Sequence, residues 1–276
     1  MRETSVNVYF CNVKKVIMKS FLMIGIELLV SAAVLLTSCG HNETQSTEMF
    51  PNAVKDIDGN EYDAVRIGKQ VWMAENLRTT RYSDDTEIPL GSSYYYFSTP
   101  LRYTPGDGMS DEENMDNVPR YGYLYNWTAV TRGNSSYANP SGVQGVCPKG
   151  WHVPSDAEWR ELTNYMKTQS DFCSGGVGKL AKALSATLGW YESDIRYSPG
   201  NDPNTNNATG FSALPAGDYF AGHGCEDFGY SALFWSATEE DGSSAYDRCI
   251  DYDYADVDRG EPDKSFGLSV RCVRDK

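Results

Sequence analysis

One helix signature stands in a chain otherwise cut into short runs by turn-forming residues. It begins at Pro154-Ser155-Asp156-Ala157-Glu158, where Ser155 is the N-cap and Glu158, three residues on, completes a capping box. Trp159, Leu162 and Met166 follow at i, i+3 and i+7, so they share one face of a helix that ends near Lys167. A shorter helix fits Leu180 to Ser185. Little else in the chain has helical periodicity, which argues against a helical bundle. The 19 tyrosines and six tryptophans, set among comparatively sparse aliphatics, point to a loop-rich fold packed with aromatics.

Strand signals surround that helix. Asp58-Gly59 reads as a two-residue hairpin turn after Val54. Val65 and Ile67 alternate towards Gly68-Lys69, a type II′ turn, and Val71 and Met73 continue beyond it, so the chain opens as an antiparallel meander. Residues 83–120 read as a long surface excursion that includes Tyr94, Tyr95, Tyr96 and Phe97. In Tyr121-Gly122-Tyr123-Leu124-Tyr125-Asn126-Trp127 every second residue is aromatic. A strand there places all four rings on one face, either as a core row or as a stacking platform for sugars. Short strands are expected at Phe211–Leu214, Phe234–Ala237 and Ala245–Ile250. The last strand, 266–274, is expected to carry Phe266, Leu268, Val270 and Cys272 on one face.

The N-terminal part has a different character. Lys14, Lys15 and Lys19 precede an apolar stretch from Phe21 to Leu36, broken by Glu27, that closes on Leu36-Thr37-Ser38-Cys39-Gly40. This is the form of a bacterial lipoprotein signal, with Cys39 as the lipidated residue, and about 16 apolar residues are short of the roughly 20 that a span needs. The expected organisation is a signal peptide over 1–38, starting at Met1 or Met18, a lipidated tether over 39–53 and a single domain over 54–276. The expected location is the outer membrane or cell surface, with the membrane as a partner through the anchor. Without residues 1–38 the chain holds 20 basic and 36 acidic side chains, a net charge of −16. Such a surface repels a phosphate backbone, so nucleic acid is excluded as a partner.

Five segments, in order, resemble the Fibrobacter succinogenes major paralogous domain: Val71-Trp72-Met73-Ala74-Glu75-Asn76-Leu77, Tyr121 to Trp127, Cys147-Pro148-Lys149-Gly150-Trp151-His152-Val153-Pro154, Phe211-Ser212-Ala213-Leu214-Pro215-Ala216-Gly217, and Gly267 to Arg274. They span about residues 55–275. The family occurs in secreted and lipid-anchored bacterial proteins, and more distantly its pattern is similar to the C-type-lectin-like fold shared with formylglycine-generating enzymes. The resemblance implies an α+β domain with small twisted antiparallel sheets, one or two helices and long loops. It also implies a disulfide between Cys147 and Cys272, since a lectin-like arrangement bridges the helical region to the final strand. Cys225 and Cys249 are then the natural second pair, and the alternative, Cys173 paired with either of them, stays open.

Candidate chemistry is sparse. Asp251, Asp253, Asp256 and Asp258 are calcium candidates, against the alternative of a charged edge strand, and no other cofactor is expected. His152, beside Trp151, reads as a packed, hydrogen-bonded residue. His223 lies two residues from Cys225, but a thiol in an oxidising compartment is more readily bridged than nucleophilic, so the chain is not expected to be an enzyme. The expectation is a lipid-anchored binding module for a polysaccharide or an envelope protein, with Tyr94, Tyr95, Tyr96, Trp190 and Tyr191 as contact residues. The alternatives are a structural subunit of a cell-surface complex and, behind it, a formylglycine-generating-type enzyme.

Overall fold

The computed structural model describes residues 47–91, 98–107, 114–174, 177–220 and 223–276. Tyr94, Tyr95, Tyr96 and Cys39 lie outside the described residues, as does the Cys173 side chain. The strands are β1 (Glu48–Lys55), β2 (Glu61–Ile67), β3 (Gln70–Met73), β4 (Arg102–Tyr103), β5 (Leu124–Tyr125), β6 (Trp151–His152), β7 (Cys173–Ser174), β8 (Val177–Gly178), β9 (Asp218–Phe220), β10 (Gly224–Glu226), β11 (Ser231–Glu239), β12 (Ala245–Asp251) and β13 (Val273–Arg274). The helices are α1 (Val118–Tyr121), α2 (Trp127–Thr131), α3 (Asp156–Lys167) and α4 (Leu180–Leu184). This is an α+β fold with small antiparallel sheets, as expected.

The central sheet has the order β1-β2-β3-β13-β6 and is antiparallel throughout. The meander forms as the alternation requires, with Ile67 opposite Gln70 across Gly68-Lys69. The first turn is longer than the expected pair, because Lys55 faces Glu61 and the loop runs over 56–60. Asp56 sets that length: its carboxylate accepts from Asn60 N at 2.9 Å, Asn60 Nδ2 at 2.8 Å and the Tyr62 hydroxyl at 2.6 Å. Strand β1 takes in residues 48–53, which the sequence reading assigns to the tether.

Both faces of this sheet are buried, and the strand period decides which residue goes where. Tyr62, Ala64, Val71 and Met73 join Tyr123, Tyr125, Trp127 and Trp235 in one cluster. Val65, Ile67 and Trp72 join Trp159, Leu162 and Met166 of α3 in the other. Helix α3 has both bonds of the expected capping box, a device worth about 1 kcal/mol. The Trp72 and Trp159 rings lie 4.5 Å apart, with Phe211 edge-on to both.

Three expected strands are corrected. Tyr121–Trp127 is not one strand: Tyr121 ends α1, only Leu124 and Tyr125 pair with β4, and Trp127 starts α2 because the Asn126 side chain accepts from Ala129 N and caps it. All four rings are buried, so the core alternative holds and the sugar platform there does not. Residues 211–214 and 266–272 make only isolated bridges, Ser185–Ala213, Tyr219–Gly267, Tyr125–Leu268 and Phe234–Ser269, because successive residues touch different neighbours.

Candidate functional site

Three tyrosines from three segments meet at one end of the β11–β12 ribbon. Tyr191 comes from the loop after α4, and Tyr230 and Tyr252 flank the Ser231–Asp251 pair that closes the ribbon. Tyr191 and Tyr230 stack with ring centroids 4.2 Å apart and planes at 19°, while Tyr252 packs edge-on to Tyr230 at 5.2 Å. Backbone bonds hold the group: Tyr191 N donates to Gly229 O, Tyr252 N to Tyr230 O and Gly200 N to Tyr252 O. Two glycines permit the approach. Gly229 has φ +84°, and a Cβ there would lie 2.7 Å from the Tyr191 ring; at Gly200 a Cβ would lie 2.2 Å from Tyr191 O. Tyr191 and Tyr230 nonetheless stay 51% and 40% exposed.

Beside the stack runs an open groove of about 490 Å³, lined by Glu192, Ser193, Asp194, Gly200, Asp202 and Pro203. Lys182 ties it from beneath, its ammonium donating to Asn201 O, to Asp202 O at 2.9 Å and to Asn206 Oδ1 at 2.8 Å. Burial lowers the Lys182 pKa, and the nearby Asp202 opposes that shift. Two polar atoms of the same segment, Trp190 Nε1 and Ser198 Oγ, are buried without a protein hydrogen-bond partner among the described residues. Atoms in that state are usually met by water or a ligand. A flat aromatic face next to carboxylates and a hydroxyl can stack on the C–H face of a sugar ring and bind its hydroxyl edge. In a second groove of about 430 Å³ the guanidinium of Arg132 is committed to Asp84 at 2.8 Å and to the Tyr82 ring.

The other candidates fall elsewhere. Trp190, expected as a contact residue, is buried and packs in the same core cluster as Trp72 and Trp159. The Cys147–Cys272 disulfide is present, with Cα atoms 5.9 Å apart. The Cys225–Cys249 bridge is not formed: Cys225 lies on β10 and donates to Thr104 O at 2.8 Å, while Cys249 is buried on β12. His223 stacks on Phe220 at 4.7 Å. The calcium expectation is corrected as well. Asp258 pairs its backbone with Cys249, Asp256 accepts from Val257 N, and among the described residues no three acidic, histidine or cysteine side chains are grouped to hold a metal. Tyr230 and Tyr252 were missed, since no local signal separates an exposed tyrosine from the many buried ones.

The motif residues form a second, internal network. Arg271 is fully buried between the Phe211 and Phe234 rings and donates to Asn76 Oδ1 at 2.8 Å, Met73 O at 3.0 Å, Ser212 O at 2.8 Å and Phe211 O. Asn76 Nδ2 donates onward to Tyr121 O at 2.7 Å. Burial pulls the Arg271 pKa down to about 9, which leaves it charged at neutral pH. His152 joins the remaining motif to the same frame, with Nε2 2.8 Å from Glu158 Oε1 and Nδ1 2.7 Å from Asp275 Oδ1. These motifs therefore build the core rather than line the groove.

That network sets a pH dependence. Burial disfavours charged His152, but Glu158 and Asp275 outweigh it and raise its pKa. The stabilisation is full below the ordinary histidine value, about 6.5, and is lost as pH rises through the raised folded value. Burial also pushes Asp247 up to about 7, so its folded-state proton preference is lost over about pH 4 to 7, in the same direction. Asp156 acts oppositely: despite its burial, Arg248 and Arg259 hold it low, so its contribution disappears only as pH falls below about 4. Urea midpoints are expected to peak in mildly acid solution and fall towards alkaline pH, with a shallower fall in His152→Gln. A midpoint that rises from pH 6 to 8 contradicts this.

The model of the Fibrobacter succinogenes major domain family matches residues 65–274. No curated protein matches the chain, and no solved structure does.

Proposed function

We propose that this chain, which belongs to the Fibrobacter succinogenes major domain family, is a lipid-anchored cell-envelope module that binds polysaccharide at the Tyr191–Tyr230 stack. The observation that carries this reading is the stack itself: two large rings held parallel by a backbone frame, left open to solvent beside a polar groove. Aromatic residues usually bury themselves, so a fixed exposed pair has a binding surface as its simplest explanation. The net charge of −16 that remains without residues 1–38 disfavours nucleic acid and anionic lipid as ligands.

The anchor belongs to the same reading. Cys39 closes the apolar segment, and about eight residues separate it from β1, a reach of roughly 25–30 Å when extended. No helix among the described residues is long and apolar enough to cross a membrane. Cys39→Ser is expected to move the protein from the membrane fraction to the soluble one, and retention of that variant in membranes contradicts the anchor.

Binding is tested by titrating the full-length chain, in neutral detergent, against a panel of envelope polysaccharides. Saturable binding that weakens about tenfold or more in Tyr191→Ala and in Tyr230→Ala is expected, with the unfolding midpoint little changed because both rings are exposed. Binding indifferent to both substitutions places the site elsewhere.

A further inference from the structure

We propose that the paired strands β9 and β10 form a pH-sensitive clasp on the Tyr191–Tyr230 stack, closed in acid and loosened in mildly alkaline solution, with the Asp218 carboxyl as its sensor. Asp218 and Glu226 lie directly opposite each other in the antiparallel pair. The next pair, Tyr219 and Cys225, packs in the cluster of Tyr103, Tyr121 and Leu124. The strand period therefore puts the two acids together on the other face, an arrangement of like charges that destabilises a strand pair. The other charged groups that face Asp218 are acidic as well: Asp227, just beyond β10, and Asp247 on β12. The remaining neighbours of the pair carry no charge, since β11 meets it through Ser231 and Ala232 and the last segment through Gly267.

Asp218 is only 8% exposed, and its Oδ1 is buried without a hydrogen-bond partner. No basic side chain pairs with it among the described residues. Burial pushes its pKa well above the ordinary carboxyl value, Asp227, Glu226 and Asp247 push it further, and its own backbone N–H opposes this only in part. The closed arrangement therefore accepts Asp218 as a neutral acid and strongly disfavours it as an anion.

The carboxyl sits where the stack is held. A Cβ on the preceding Gly217 would lie 2.1 Å from Glu226 O, so the two strands meet without slack. Gly217 N donates to Ser231 O at 2.9 Å, Tyr230 N to Asp227 O at 2.9 Å, Gly229 N to Pro215 O at 3.0 Å and Tyr191 N to Gly229 O at 2.9 Å. An ionised Asp218 is relieved by parting from Glu226 and reaching water. That movement draws on the 227–230 turn, which carries Tyr230 and supports Tyr191. In the opened clasp Asp218 titrates near the ordinary value of about 4, and in the closed clasp well above it. Closure is thus fully favoured below about pH 4. It weakens by up to tenfold for each pH unit above that, until the raised value is passed.

Amide hydrogen exchange of the ligand-free full-length chain, in neutral detergent between about pH 5 and pH 8, tests this. Rates are expressed as protection factors, which removes the intrinsic pH dependence of exchange. Protection of the Gly217, Tyr230 and Tyr191 amides is expected to fall at least about tenfold over that range, and to stay within about threefold in Asp218→Asn, which keeps the neutral shape at every pH. Protection that does not fall in the wild type overturns the proposal, and so does an equal fall in Asp218→Asn. Asp227→Asn keeps the test decisive where Asp218→Asn does not fold: its side chain is exposed, and asparagine suits the left-handed backbone at φ +55°. With that facing charge removed a smaller fall is expected, and an undiminished one overturns the proposal. No ligand enters this measurement, so its outcome is independent of saccharide binding. The consequence for affinity, weaker saccharide binding at pH 8 than at pH 5 in the wild type but not in Asp218→Asn, rests on the polysaccharide reading.

Discussion

Arg271→Met is expected to lower the unfolding free energy by about 3–5 kcal/mol, enough to remove a large part of the stability of an ordinary domain. Methionine fills much of the space between the Phe211 and Phe234 rings, so the loss is not a simple cavity. Its origin is polar. The guanidinium satisfies Met73 O, Phe211 O, Ser212 O and Asn76 Oδ1, all remote from Arg271 in sequence, and no water stands ready to replace it at a fully buried site. Arg271→Lys retains the charge but not the planar fork, and is expected to recover only part of the loss. Urea denaturation of the two variants measures this. A change under about 1 kcal/mol in Arg271→Met would show that the carbonyl network is dispensable.

Removing the Cys147–Cys272 bridge should have an effect of similar size. The bridge closes 125 residues, and the chain-entropy account assigns about 5 kcal/mol to a loop of that length, with about 3 kcal/mol a cautious lower value. It joins the residue four positions before β6 to the strand region beside β13, so in its absence the central sheet must be closed by hydrogen bonds and packing alone. The guanidinium midpoint of the wild type is expected to fall sharply in the presence of a reductant. A Cys147→Ala, Cys272→Ala double variant should show the same lowered midpoint with or without reductant. Equal midpoints for oxidised wild type and double variant contradict a stabilising role.

Arg271 and the disulfide also explain why the motifs were legible as a family and uninformative as chemistry. Asn76, Tyr121, Phe211, Ser212 and Arg271 come from four of the five recognised segments: Asn76, Phe211 and Ser212 accept from the Arg271 guanidinium, and Tyr121 joins through Asn76. The fifth contributes Cys147 and His152, which reach Cys272, Glu158 and Asp275. Recurring residues of this kind record a shared frame, and function has to be read from what that frame leaves exposed.

What the sequence by itself determined was local. The capping box at Ser155 and Glu158, the apolar face of Trp159, Leu162 and Met166, and the turn at Gly68-Lys69 each depend on residues within a few positions, and all appear in the structure. The tertiary structure alone decided which of many tyrosines are covered. Tyr121 and Tyr191 look equivalent in sequence, yet Phe228 packs edge-on to Tyr121, which is buried, while Tyr191 lies against Gly229 and stays half open. The alternation of 121–127 failed as a strand signal for a similar reason: the Asn126 cap and the aromatic core on both sides outweigh a period of two. Burial is a property of contacts between distant segments, and the groove at 192–203 exists only because Gly200 brings its loop against Tyr252, some 50 residues away.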